Sequence, residues 1–399
     1  MATDKKQLTR NDLVYRKTLV HEHIPITGSL LSGTYENAGS DQNIKNYSHG
    51  MFQSVYDYPY LSSSANHLFD VTAGYSSISA LSGATNSQNA KKINIYNQMA
   101  QVLAGYDATG SVLRFDKAGE VVDTGTKLNE VFFLTFSRLL VKDEIKKGSF
   151  TLELGVNQAF EYNNGVSSSL GKAFRRRIQI SDASGSNVYK VNSPAGEYGI
   201  LYATGSTPAA TTARGQDEQP AGGVIQGQGS TGEYTPVGLL YYQAGVAVIS
   251  GSVFGAISSS LPTNNLGNCG ILNTGVPCEL AANISGSGFN LMTGSTIQTV
   301  ADGIRNRIYN VQFNNTTELN SSIYFCRVNH NEFNYSSNPT YVSASQIVVK
   351  DNSDDVSTSY ITTVGLYNAQ NEMVAVAKLS EPLKKTPEDE LTIRVRLDY

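Results

Sequence analysis

The chain has no tryptophan, only three cysteines, and only 16% charged residues in 399. So few cysteines exclude a disulfide-stapled secreted scaffold and point to a reduced folding compartment. Cys269 and Cys278 bracket a Gly/Pro loop, where pairing would need an oxidising medium, and they are expected as free thiols. Cys326 lies in an apolar stretch and is expected as a small core residue. No apolar run approaches the roughly 18 residues of a membrane-spanning helix. The opening MATDKKQLTRND carries no apolar segment, so no secretory signal is expected. Charge of one sign is also scarce. The net charge of -4 gives no general attraction to nucleic acid or membrane, and neither is an expected partner.

What is present is glycine, 36 residues, and tyrosine, 23. That mix favours β-structure with many turns and surfaces made polar by hydroxyls and amides. In the last stretch Leu391, Ile393, Val395, Leu397 and Tyr399 alternate with Thr392, Arg394, Arg396 and Asp398, the period of a strand with one buried face. Tyr360–Leu366 and Met373–Leu379 alternate likewise around the polar loop Asn368–Glu372. A three-strand C-terminal meander follows. Its last strand is tied in through Glu381–Pro387, whose two prolines are expected to forbid pairing.

Residues 1 to about 85 show little sustained periodicity and read as an extended arm laid over the chain or over a neighbouring subunit. Tyr56, Tyr58 and Tyr60 would anchor it, since a tyrosine offers an apolar ring with a polar tip. One helix is predicted from about Ser87 to Ala104, with Ile93, Tyr96, Ala100 and Leu103 on one face, Asn86 or Ser87 as N-cap and Gly105 as stop. Strands are predicted at 131–136 and 150–154, with a short helical turn over Lys142–Gly148 between them, and then at RIQI and NVYKV. Gly/Ser/Thr-rich stretches at 204–232 and 256–300 read as long surface loops. Between them Val237-Gly238-Leu239-Leu240-Tyr241 followed by Val246-Ala247-Val248-Ile249 matches Val364-Gly365-Leu366-Tyr367 followed by Met373-Val374-Ala375-Val376, a weak internal repeat of two hairpins. Six short strands are expected from 307 onward. The fold class is therefore mainly β: two small antiparallel sandwich- or barrel-like domains, an extended N-terminal arm and one helix. The arm with its helix occupies 1–125, a loop-rich β-domain 126–300, and a C-terminal sandwich 301–399.

Motifs for chemistry are sparse. His21-Glu22-His23 would place two imidazoles on one side of a strand, but no third ligand is evident, and a polar strand is the competing reading. His49, His67 and His330 have no spacing that ties them to a nucleophile, and no Gly-x-Ser-x-Gly elbow or phosphate-binding loop occurs. Asp351–Asp355 lacks the glycine and distal glutamate of a calcium loop and reads as a hairpin tip. Arg175, Arg176 and Arg177 form the strongest cationic cluster, either a contact for phosphate or an acidic partner surface, or a solvated loop edge. With Arg394 and Arg396 they join the tyrosines as candidate subunit contacts. No catalytic residue, metal ligand or cofactor is expected, and no enzyme.

Several segments carry a resemblance. YFCRVNHNEFNYSSNP at 324–339, the terminal YITTVGLYNAQNEMVAVAKLSEPLKK and LTIRVRLDY, Gly74-Tyr75-Ser76, and NAKKINIYNQMAQVL at 89–103 resemble virion structural proteins of contractile-tailed bacteriophages. The VGLYN–turn–VAVAKLSEP pattern is similar to a hairpin of phage tail-fibre attachment domains. The resemblance implies a multi-copy virion component, assembled in the host cytoplasm beside other neck and tail proteins, with neck or collar first. A baseplate or tail-decorating role, or a receptor- or polysaccharide-binding tail protein using the long loops, is the alternative.

Overall fold

The computed structural model describes residues 5–27, 43–79, 81–83, 85–119, 125–155, 177–182, 185–205, 235–251, 292, 296–305, 308–336, 340–343, 346–347, 352 and 354–399. The predicted loops at 204–232 and 256–300 lie almost wholly outside these residues, as do Cys269, Cys278, Arg175 and Arg176. The described chain is mainly β and, in every strand pair whose register is given below, antiparallel. Contacts divide it into two compact units, His21–Thr317 and Met1–Val20 with Glu318–Tyr399.

In chain order the strands are β1 (Leu13–Thr27), β2 (Ile44–Asn46), β3 (Gln53–Tyr56), β4 (His67–Tyr75), β5 (Glu130–Phe136), β6 (Glu144–Ile145), β7 (Thr151–Gly155), β8 (Arg177–Ser181) and β9 (Tyr189–Ser193). Then come β10 (Gly196–Gly205), β11 (Thr235–Tyr241), β12 (Val246–Ser250), β13 (Ile308–Val328), β14 (Val342–Ser343), β15 (Gln346–Ile347), β16 (Ser359–Tyr367), β17 (Met373–Lys385) and β18 (Leu391–Asp398). The helices are α1 (Asn89–Leu103), the single turn α2 (Arg138–Val141) and α3 (Ile297–Arg305). The large sheet runs β1-β13-β7-β8-β10-β11-β12-β5-β4-β3-β2, with β6 and β18 also on β13 and β9 on β10.

The larger unit owes its order to strands that are apolar on both sides. In β5, Phe132, Leu134 and Phe136 enter one core cluster while Val131 and Phe133 enter the other; in β12, Ala247 and Ile249 divide from Val246 and Val248 in the same way. Period 2 sends neighbours to opposite faces, so a continuous apolar run marks a central strand covered on both. One break in this alternation is instructive. Val237 and Leu239 differ by two yet lie in different clusters, because the register shifts between Leu201 and Tyr202 and leaves Val237 as the extra residue beside Pro236. Phe136 meets Phe69, Phe150 and Phe313 with ring centroids 5.8, 5.9 and 5.2 Å away, the centre of one cluster.

Helix α1 lies where predicted, one or two residues inside the expected ends. Its buried face is Lys92, Ile95, Tyr96, Ala100 and Leu103, so Lys92 takes the place expected for Ile93. Gln88, in the left-handed region, stands at the N-cap in place of Asn86 or Ser87, and Gly105 (φ +88) closes the helix by donating to the Ala100 carbonyl at 2.9 Å. The helix packs closely on β4 because Gly74 has no side chain: a Cβ there would lie 2.7 Å from the Lys92 carbonyl oxygen.

Several expectations are corrected. Residues 44–56 and 67–75, expected as arm, are strands β2–β4 of the large sheet, with Val55, Phe69 and Val71 fully buried. Their mixed sequence hides this because polar Gln53 and Ser54 are buried beside them through side-chain hydrogen bonds. The helical turn expected at 142–148 falls earlier, at α2, and Glu144–Ile145 is instead a short strand on β13. The strands expected separately at 307–313 and 322–328 are one 21-residue strand, β13, since the polar stretch between them has no glycine or proline to end it. The C-terminal meander does not form. β18 pairs with β13, from Ser321↔Asp398 to Val328↔Leu391, whereas β16 and β17 pair with each other. Pro382 does not stop β17; the register shift between Ile361 and Thr363 takes it up.

Candidate assembly surface

In the smaller unit, among the described residues, four apolar side chains are buried: Ile323, Val328, Ile393 and Val395. Neither core cluster includes any residue of this unit. Such a length of chain ordinarily buries many more. In their place large apolar side chains face outward, among them Tyr15, Leu19, Tyr360, Tyr367, Met373, Val374 and Val376. A unit with so few apolar side chains inside and so many outside is one that interaction with another surface would complete.

Polar contacts hold the unit. Lys6 pairs with Glu332 at 2.6 Å, Arg327 with Asp12 at 3.2 Å, and Lys17 with Glu318. The Lys6 hydrogen bond lowers the Glu332 pKa, and hydrogen bonds from Thr9 lower that of Asp12. Solvent screening keeps the contribution of such pairs small. Lys5 reaches the turn of the β16–β17 ribbon, donating to Asn371 at 3.0 Å and lying 4.4 Å over the Tyr367 ring. The strongest polar anchor is Lys385, fully buried, whose ammonium donates to the His330 carbonyl at 3.2 Å, Asn334 Oδ1 at 2.7 Å and the Thr386 carbonyl at 2.5 Å. Three donors meet three acceptors, which is what makes a buried ammonium tolerable.

The β16–β17 ribbon repeats β11–β12, and the two environments are opposite. β12 is buried along its length, flanked by β11 and β5, while β17 is exposed at Met373, Val374 and Val376. Their registers agree beside the glycine and leucine, where Gly238 faces Ile249 and Leu239 faces Val248 as Gly365 faces Val376 and Leu366 faces Ala375, and part only after Leu366, where a shift sets Tyr367 opposite Met373.

No family model, no curated protein and no solved structure matches the chain.

The candidate contact residues fall in different places. Tyr56 is half-buried at the end of β3, 6.2 Å from the Tyr60 ring and edge-on to His67 at 5.5 Å, and burial raises its pKa; Tyr58 in the following turn is exposed. All three belong to the larger unit. Arg177 opens β8 opposite Gly155. Arg394 and Arg396 share the exposed face of β18; Arg396 donates to Asp398 at 2.7 Å and Ser321 at 3.1 Å, and the Ser321 and Arg396 hydrogen bonds lower the Asp398 pKa. Tyr399, expected on the buried face, is 72% exposed. Cys326 is half-buried, and burial, followed by the charge of Asp12, raises its thiol pKa.

The polar residues weighed for chemistry are tied into the scaffold. His21 faces the Asn315 carbonyl and Thr316 at 3.3 and 3.2 Å, His23 faces Asn314 at 3.0 Å, and Glu22 accepts from Lys142 at 2.7 Å, which lowers its pKa. Ser54, Asp70 and His67 converge, but Asp70 Oδ1 is the shared acceptor, 2.5 Å from Ser54 Oγ and 2.9 Å from His67 Nε2. A nucleophilic serine needs the imidazole to take its proton, and here the hydroxyl is bonded to the carboxylate. Asp182, fully buried, accepts from the Gly148 and Phe150 amides at 2.7 and 2.8 Å; burial still leaves its pKa raised. Sequence reasoning missed Lys385 and the β16 edge. For the second the sequence carried one signal, the uncharged strand SYITTVGLY, but not that its edge is open.

Proposed function

We propose that this chain is a non-enzymatic structural subunit of a contractile-tailed phage virion. It would be present in several copies in the neck or collar and assembled in the host cytoplasm, with its β-sandwich-like units as building blocks. The observation that carries the reading is the smaller unit, which leaves apolar side chains outside at positions where a soluble domain would bury them. The resemblance at 324–339, 360–385 and 391–399 falls in the same unit. Subunits that assemble in symmetric copies complete such surfaces with one another. The polar clusters support a scaffold role, because the histidines, Asp70 and Asp182 spend their hydrogen bonds on neighbouring strands and loops. Mass spectrometry of purified particles, followed by a map of the intact virion, tests this. The chain is expected in the particle at a copy number set by the tail symmetry. Its absence from purified particles, or hydrolysis of host polysaccharide by the purified chain, would overturn the reading.

A further inference from the structure

Among the described residues the smaller unit leaves four long strand edges open. β1 and β18 each pair with β13 alone, and β16 and β17 with each other. An open edge is a template for any other strand, and proteins guard theirs with lysines, other charges or proline. β1 carries Arg16 and Lys17, and β18 carries Arg394, Arg396 and Asp398. β17 is guarded most heavily, by Lys378, Glu381, Pro382 and Lys384. β16, Ser359–Tyr367, has no charged residue and no proline, and five of its nine residues are exposed. An unguarded edge next to a heavily guarded one in the same ribbon is an edge built to pair.

We propose that β16 pairs with β16 of a second copy, antiparallel across a twofold axis, so that two ribbons become one four-stranded sheet. The proposal deepens the multi-copy reading above and rests on it. An uncharged strand has no sign by which to select an oppositely charged partner, but it is compatible with itself. With Thr363 on the axis, Tyr360 faces Leu366, Ile361 faces Gly365 and Thr362 faces Val364, and no like charges meet. The repeat points the same way. β11, built on the same pattern, has a strand on each side, β10 and β12, whereas among the described residues β16 pairs with β17 alone. A two-stranded ribbon is marginal in water by itself, and two more strands give it the width that stable sheets have. The contact is short, so it is weak between free chains and becomes firm when many copies are held together.

The test uses the full chain. Sedimentation equilibrium over a range of concentrations is expected to show a species of twice the 43.0 kDa chain mass. Thr362→Lys with Thr363→Lys, both at exposed positions, is expected to weaken association at least about tenfold by setting lysines against lysines across the axis. Ser380→Lys, on the guarded strand, is expected to leave it unchanged. Amide exchange of residues 359–367 in the unaltered chain is expected to slow as concentration rises, an arm that does not depend on any variant folding. A chain that stays monomeric throughout, or one that associates while the β16 amides exchange at an unchanged rate, overturns the β16 contact. Either result leaves the virion reading standing if the chain is found in purified particles, and only its absence there removes both.

Discussion

The two related hairpins allow one substitution to be made in opposite environments. Val248 in β12 is fully buried, opposite Leu239, and Val376 in β17 is 57% exposed, opposite Gly365. Replacing valine by alanine removes two methyl groups. At about 0.8 kcal/mol per buried group this gives roughly 1.6 kcal/mol at Val248 for transfer alone. The residual cavity adds to that, because the Phe133 and Leu239 neighbours of the same cluster are held by strands on both sides and cannot collapse into the space; about 2–2.5 kcal/mol is expected in all. At Val376 less than half of the side chain is covered and no cavity is left, so roughly 0.5 kcal/mol is expected. Urea unfolding followed by far-ultraviolet circular dichroism should show the midpoint of the main transition lowered for Val248→Ala, with an unchanged slope, and almost unmoved for Val376→Ala. Equal losses in the two variants would refute the assignment of one hairpin to core and the other to surface.

Other outcomes follow from the same geometry. Gly238→Ala should be strongly destabilising, about 3 kcal/mol or more, because its Cβ would lie 2.1 Å from the Val248 carbonyl oxygen, a backbone atom; Gly365→Ala would meet only the movable Tyr367 ring at 3.0 Å and should cost under about 1 kcal/mol by the same unfolding measurement. Burial lowers the pKa of Lys92 from 10.5 to about 8, so the folded chain gives up this proton while the unfolded chain still holds it. Stability should therefore gain from Lys92 as pH rises from 8 toward 10.5, and the difference between the unaltered chain and Lys92→Met should change across that window and be flat below it. Lys385→Met should destabilise the smaller unit by about 2–4 kcal/mol by stranding the His330, Asn334 and Thr386 acceptors, seen as faster amide exchange in residues 330–336.

Much of the local structure was legible from the residues alone. The alternation in β18, the apolar runs of β5 and β12, the helix ending at Gly105 and both VGL hairpins all follow from side-chain period and turn chemistry, which act over a few residues. Period tells which side chains share a face. Which strand lies alongside is a different question, settled by packing between segments far apart in the chain. That is why β18 joins β13 and not β17, why β2–β4 enter the sheet despite their polar residues, and why one copy of the VGL hairpin is buried while its twin is exposed. The candidate contacts divide along the same line. An uncharged β16 could be read in the sequence, but an open edge exists only once the neighbours of every other strand are known. Lys385 shows the limit most plainly: a lysine in a charged proline-rich stretch reads as solvated, and only the return of the 330–334 loop brings two of the three oxygens that hold its buried ammonium.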